Sequence, residues 1–288
     1  MAANFGIIGC GYVGSAAALQ FRSSGSVVTG TTTTPQRLAE LCDLVDHPRL
    51  YRAGDPGSDS SFLEPLDGLL IAMAPTTATY EEDQYQAVYG KAIPALVEAL
   101  KLRSSHRPLH VSYLSSAGIY GNQSGELCTE LTSPDLSSST NALLADAESA
   151  VLSLNDDSAT PACVLRLGGI YGPGKNISSY ILSASGQCVP KNGNHINAWV
   201  HLQDIIRGID FANRRRLQGI YNLVDDMQYT RRQLSNALCD EEGLPPVIWE
   251  NHDRPGARIF NARVSNARLR QLGFRPSISS MLEPVAAA

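Results

Sequence analysis

Short apolar runs alternate with helical stretches from the first residues onward. Phe5-Gly6-Ile7-Ile8 predicts a buried first strand, and residues 12–23 a helix with Val13, Ala17 and Ala18 turned inward, ended by Ser23-Ser24-Gly25. Ser26 to Thr29 predicts strand two, Arg37 to Leu44 a helix, Leu50 to Arg52 a short third strand, and Gly68 to Met73 a fourth. Between Thr79 and Leu102 the positions Tyr85, Tyr89, Ala92, Leu96 and Leu100 fall near the helical period, which predicts one long helix. His110 to Leu114 is strand five. Ser137 to Leu154 is a helix with Leu144, Ala147, Val151 and Leu154 on one side, and Val164 to Leu167 is strand six. Such alternation predicts βα units and therefore a parallel sheet.

Beyond Gly174 the rhythm loosens. Residues 175–198 are rich in Ser, Asn and Gly and predict loops; Asp204 is placed to cap a helix through Phe211, and Ile220 to Leu223 returns as a strand. The stretch 229–275 mixes a helix with short irregular pieces. The expected architecture is α/β: a Rossmann doubly wound parallel sheet over 1–175, with a smaller C-terminal substrate-side lobe over 176–288, from which 199–224 returns to the core.

Chemistry enters at the first strand–helix junction. Gly9-Cys10-Gly11-Tyr12-Val13-Gly14 has the G-x-G-x-x-G spacing, follows a strand and opens a helix. The first glycine permits the tight turn, the second lets backbone approach a pyrophosphate, and the third lets helix and strand pack closely. The amides that begin at Tyr12 and Val13 then face the phosphates. Cofactor choice is read after strand two. Instead of the Asp or Glu that holds a ribose 2′-hydroxyl, the chain has Thr31-Thr32-Thr33-Thr34-Pro35-Gln36-Arg37. With no carboxylate to repel a 2′-phosphate, and with Thr31, Thr32 and Arg37 to meet it, NADP(H) is expected over NAD(H).

The composition is that of an ordinary globular chain: 288 residues, 43% hydrophobic, 18% charged, net charge −5. Arg214-Arg215-Arg216 is its densest basic run and suits a helix end, so nucleic acid is not an expected partner. The six cysteines are scattered without a Cys-x-x-Cys pair, as expected of free thiols in a reducing compartment. No apolar stretch approaches the roughly 20 residues of a membrane span. The early first strand leaves no signal peptide in this sequence, so the cytoplasm is the default expectation. No metal-ligand spacing is present.

Four later segments carry a resemblance. Leu114-Ser115-Ser116-Ala117-Gly118-Ile119-Tyr120-Gly121 is similar to an "SS…VYG" segment, and Leu165 to Gly174 to "LR…YGPG". Trp199 to Asp204 resembles "VHVxD", and Gly219 to Leu223 "GxYNv". In this order they resemble the extended short-chain dehydrogenases, the NAD-dependent epimerase/dehydratase family, over most of the chain. The glycine loop is shorter than that family's usual G-x-x-G-x-x-G. β-Hydroxyacid and pyrroline-carboxylate dehydrogenases share the short form, but their all-helical C-terminal domains lack the later segments. By the same resemblance Asp55 falls where the family hydrogen-bonds adenine, although Gly54-Asp55 also suits a plain turn, and Ala74-Pro75 lies where the cofactor ribose runs.

The resemblance implies hydride transfer between nicotinamide C4 and a carbonyl or alcohol carbon of a small molecule, nucleotide sugars being the family's commonest substrates. It also implies a Tyr-x-x-x-Lys pair, which the chain lacks. Aligned from Glu148, Thr140 stands at the tyrosine position and Leu144 at the lysine, while Ser116 is retained. Tyr171 to Lys175 matches the spacing but is interrupted by Pro173 and Gly174. Ser116 and Thr140 are the expected substrate-facing residues, and Tyr120, Tyr113 and Tyr171 are candidate replacement acids that also suit packing roles. His201 reads as structural, and Arg254 and Arg258 as surface ion-pair formers. A homodimer through 79–102 and 137–154 is expected. The alternative is a catalytically silent NADP(H)-binding sensor, scaffold or partner-binding protein.

Overall fold

The structure is a computed structural model that describes residues 2–75, 82–105, 107–156, 159–253 and 259–283. In chain order the first half contains β1 (Asn4–Ile8), α1 (Tyr12–Ser23), β2 (Val27–Thr32), α2 (Leu38–Leu44), β3 (His47–Leu50), β4 (Gly68–Ile71), α3 (Glu82–Tyr85), α4 (Ile93–Lys101), β5 (His110–Ser116) and β6 (Asn122–Cys128). The second half contains α5 (Ser139–Leu152), β7 (Ala162–Leu167), β8 (Gly169–Tyr171), α6 (Ile177–Leu182), β9 (Cys188–Asn192), β10 (Trp199–His201), α7 (Leu202–Arg215), β11 (Gly219–Leu223), α8 (Arg231–Glu241), β12 (Ile248–Glu250), β13 (Asn261–Val264) and α9 (Ala267–Gln271).

The central sheet is a seven-stranded parallel sheet of order β11-β7-β5-β4-β1-β2-β3, the doubly wound Rossmann arrangement. Strand order reverses between β1 and β4, so the crevice beyond their C-terminal ends is the expected ligand position. β1, β4 and β5 are buried on both faces by Phe5, Ile7, Leu69, Leu70, Val111 and Tyr113, which explains their unbroken apolar runs. Phe5 stacks on Phe21 of α1 at 3.7 Å between ring centroids and so holds that helix on the first strand.

The chain divides into two compact units. The first comprises 1–115, 139–165 and 206–220; the second comprises 116–138, 166–205 and 221–288. The boundary expected at 175 therefore shifts, because 116–138 and 166–175 already belong to the second unit. That unit contains three two-stranded parallel pairs, β10–β8, β12–β9 and β13–β6, and a small core of Met227, Leu234 and Leu238.

Local differences from the sequence pattern have physical causes. Strand three lies at His47–Leu50 rather than 50–52, with Tyr51 buried just beyond it. The long helix is described from Glu82 and is interrupted by a π-helical stretch, Gln86–Ala92. Pro94 has no amide hydrogen for the Gly90 carbonyl, and wider turns before it accommodate the missing bond. Phase shifts accordingly: Ile93, Leu96, Val97 and Leu100 are buried, whereas Tyr85, Tyr89 and Ala92 are only half-buried. Leu96 and Leu100, like Leu144, Ala147 and Val151 of α5, are covered within the first unit.

Residues 175–198 are not all loop. They hold α6, whose N-cap Asn176 accepts the Ser179 amide at 3.0 Å, and β9. Asp204 is not the residue that precedes α7 but lies in its first turn, and it accepts the Ser277 and Ile278 amides at 2.8 and 2.9 Å. His201 does the capping, its Nδ1 accepting the Gln203 amide at 3.2 Å. Among the described residues no helix is long and apolar enough to cross a membrane.

Candidate functional site

The glycine loop assigns one constraint to each glycine. Gly9 has φ +97°, in the left-handed region, and an added Cβ would lie 2.9 Å from the Ala72 carbonyl oxygen. At Gly14 an added Cβ would overlap the Gly9 carbonyl oxygen, so only glycine lets α1 pack this close to the end of β1. Among the described residues, a Cβ on Gly11 would meet nothing within 4 Å. The exposed backbone there is open to a ligand. Gly11 is also the N-cap of α1 and offers no side chain of its own to the first-turn amides. With the positive end of the helix dipole behind it, this exposed glycine backbone suits a pyrophosphate.

The segment after β2 is arranged differently from the expectation. Thr31 and Thr32 are buried, at 2% and 7% exposure. Thr31 Oγ1 accepts the Gly9 amide at 3.1 Å, and Thr32 Oγ1 accepts the Thr34 amide at 3.2 Å. Both hydroxyl oxygens therefore support backbone. Residues Thr33 to Arg37 are all exposed, with Thr33, Thr34 and Arg37 among them offering polar groups at the surface of the turn. Arg37 reaches back to the loop: its Nη2 donates to the Cys10 carbonyl at 3.0 Å, and its Nε lies 3.6 Å from Glu40. Burial pushes the Cys10 thiol up to about 11, so it stays protonated and unreactive.

Asp55 closes its own turn, Oδ1 accepting the Gly57 amide at 2.9 Å. Ala74 and Pro75 follow β4 at the crevice, with Ala74 exposed. Arg254 and Arg258 lie outside the described residues.

Thr140 and Leu144 are both buried on α5, at 6% and 3% exposure, one helical turn apart. Four residues further on, Glu148 accepts from the Ser115 hydroxyl at 2.5 Å, which ties α5 to β5. Tyr113 is fully buried, with its hydroxyl unpartnered. Burial, then Tyr89 and Glu148, hold that phenol well above its ordinary value, which makes it unusable as a base at neutral pH.

In the second unit Ser116 caps the 3₁₀ turn Ala117–Tyr120, Oγ accepting the Gly118 amide at 3.0 Å. Its hydroxyl proton is not needed for that bond and can serve a substrate oxygen. Tyr120 is fully buried; its hydroxyl donates to Asn222 Oδ1 at 2.8 Å and accepts from Arg166 Nη1 at 3.0 Å. Desolvation raises its pKa despite Arg166. Tyr120 is thus a packing residue locked to a buried guanidinium, a pairing that the "LR" segment did not reveal.

Tyr171 donates to Asp225 Oδ2 at 3.0 Å, deep in the same unit. Burial pushes the Asp225 carboxyl up to about 8, helped by Asp226 and Asp204 and opposed by the Met227 amide and Tyr171. A folded-state value above the unfolded one means that the native chain binds the extra proton. The resulting stabilisation is complete below the ordinary carboxylate range and is lost as pH rises towards 8. Thermal melts from pH 5 to 8 should therefore show a falling Tm that Asp225→Asn flattens. An identical slope in the variant would remove Asp225 as its source.

The model of the NAD dependent epimerase/dehydratase family matches residues 7–223. The chain belongs to this family. Protein YeeZ of Escherichia coli K12 is 26% identical over 275 residues, 93% of each chain. Among solved structures, Thermus thermophilus UDP-glucose 4-epimerase in complex with NAD superposes with a TM-score of 0.75 at 19% identity, covering 96% of this chain and 94% of that one. The dTDP-glucose 4,6-dehydratase DesIV of Streptomyces venezuelae, with NAD and TYD bound, gives 0.76 at 18% identity, covering 96% and 92%. At those identities the two superpositions establish the fold that this family member shares with them.

Proposed function

We propose that the chain is an NADP(H)-dependent oxidoreductase or epimerase-like enzyme acting on a carbonyl or alcohol of a small, nucleotide-sugar-like molecule. One observation carries the reading: a glycine loop exposed at Gly11, with the Arg37 guanidinium anchored on its Cys10 carbonyl. Gly11 and the first amides of α1 would hold the pyrophosphate. Arg37, with the exposed Thr33 and Thr34, would hold the 2′-phosphate. The nicotinamide supplies hydride transfer when bound. Ser116 would orient the substrate oxygen through its hydroxyl proton, while Thr140 and Leu144 supply neither the phenol nor the ammonium of a Tyr-x-x-x-Lys pair. Membership of the family and the NAD bound to its structural relatives support this reading.

Calorimetric titration tests the cofactor half. NADPH is expected to bind more tightly than NADH, and Arg37→Ala to narrow the gap by about tenfold, the effect of one exposed charge-assisted contact. Equal wild-type affinities would contradict it. A second reading, a silent NADP(H)-binding protein, is favoured by Thr140 and Leu144 and by the commitment of the Tyr120 hydroxyl, which leave no phenol–ammonium pair to move a proton.

A further inference from the structure

Three hydrogen bonds from the β2 side converge on two residues of the glycine loop. The Gly9 amide is held by Thr31 Oγ1 at 3.1 Å, the Cys10 amide by the Thr31 carbonyl at 3.0 Å, and the Cys10 carbonyl by Arg37 at 3.0 Å. Thr31 supplies two of them, one from its side chain. Space around the contact is tight: a side chain on neighbouring Gly30 would come within 2.8 Å of Cys10 Sγ and 2.7 Å of Val45. Only a residue as small as glycine fits at position 30 beside the loop, and the Thr31 hydroxyl and carbonyl tie the loop to β2.

We infer that Thr31 is a positioning residue, setting the height of the glycine loop so that the open backbone at Gly11 meets the pyrophosphate. Resting on the dinucleotide reading above, the inference assigns Thr31 a role other than 2′-phosphate contact. Thr31 is 2% exposed and its hydroxyl oxygen is turned to the Gly9 amide, so it acts through the loop. Arg37 grips the same loop through the Cys10 carbonyl but remains exposed, and it is the residue proposed above for the 2′-phosphate.

The two roles predict different signatures. The pyrophosphate is common to NADPH and NADH, so displacing the loop weakens both by the same factor. Losing a 2′-phosphate contact weakens NADPH alone. Thr31→Val, nearly isosteric but without the hydroxyl, should bind both cofactors about tenfold more weakly, or about 1.4 kcal/mol, with an unchanged NADPH-to-NADH ratio. Thr31→Ser restores the oxygen and should recover most of the affinity. Amide hydrogen exchange of the free protein gives an independent readout: Gly9 exchanges faster in Thr31→Val than in wild type, and Thr31→Ser reverses this. Should the valine variant fold poorly, the wild-type-to-serine comparison and Thr31→Ala carry the same test.

Unchanged affinity in Thr31→Val, selective loss of NADPH, or unaltered Gly9 exchange would overturn the assignment. If wild type bound neither cofactor, the dinucleotide reading would fail, and Gly9 exchange would still report on the Thr31 contact.

Discussion

Gly11→Val is expected to fold and melt like wild type while losing NADPH affinity at least about a hundredfold, because its side chain enters the space a pyrophosphate requires. The structure gives the first half of that expectation: a Cβ at Gly11 meets no atom of the described residues within 4 Å. Gly14→Ala is the contrasting case. Its methyl overlaps the Gly9 carbonyl, α1 must move off β1, and stability should fall by about 1–3 kcal/mol. Calorimetry and thermal melts on the two variants separate a ligand-facing glycine from a packing one. Wild-type NADPH affinity in Gly11→Val would remove the proposed cofactor site.

Ser116→Ala carries the largest expected effect on chemistry. Losing the hydroxyl that orients the reacting oxygen should lower turnover about a hundredfold on any substrate found, with NADPH affinity retained. Because the oxygen also caps a turn through Gly118, a loss of about 1 kcal/mol in stability should accompany the substitution. Ser116→Thr, which keeps both the cap and the proton donor, should recover part of the activity. Unchanged turnover in Ser116→Ala would reassign the residue to the turn alone. Absence of turnover by wild type across carbonyls, alcohols and nucleotide sugars would favour the silent binding protein.

Much of the first unit was legible because its signals are local. Apolar runs of four to six residues marked the buried strands, and glycine spacing marked the loop, since each constraint there acts on one backbone position. The stripe of α5 was read correctly for the same reason, from Leu144, Ala147 and Val151. In the stripe through α3 and α4, Leu96 and Leu100 are buried as expected, but Tyr85, Tyr89 and Ala92 are only half-buried because the π-helical stretch before Pro94 shifts the phase, which a fixed period cannot anticipate.

Side-chain roles that depend on distant partners were not legible. Thr31 and Thr33 look alike in a run of four threonines; only the fold turns one to Gly9 and leaves the other exposed. Asp204 looked like a helix cap until the segment at 277–278, more than 70 residues away, proved to be its partner. Tyr120 had the position of a candidate acid, and only Arg166 and Asn222 reveal its packing role. In the second unit the short parallel pairs β8–β10, β6–β13 and β9–β12 join segments far apart in sequence, so no local period announces them. Asn176 was an available signal for α6, being a strong N-cap residue at the head of the stretch read as loop.

The most direct measurement is a crystal structure of the wild-type chain grown with saturating NADP(H). The account predicts the pyrophosphate against the backbone at Gly11 and the first amides of α1, with the 2′-phosphate within hydrogen-bond distance of Arg37 and the Gly9–Thr31 bond retained. A dinucleotide bound elsewhere, or a glycine loop that stays empty at saturating cofactor, would contradict it.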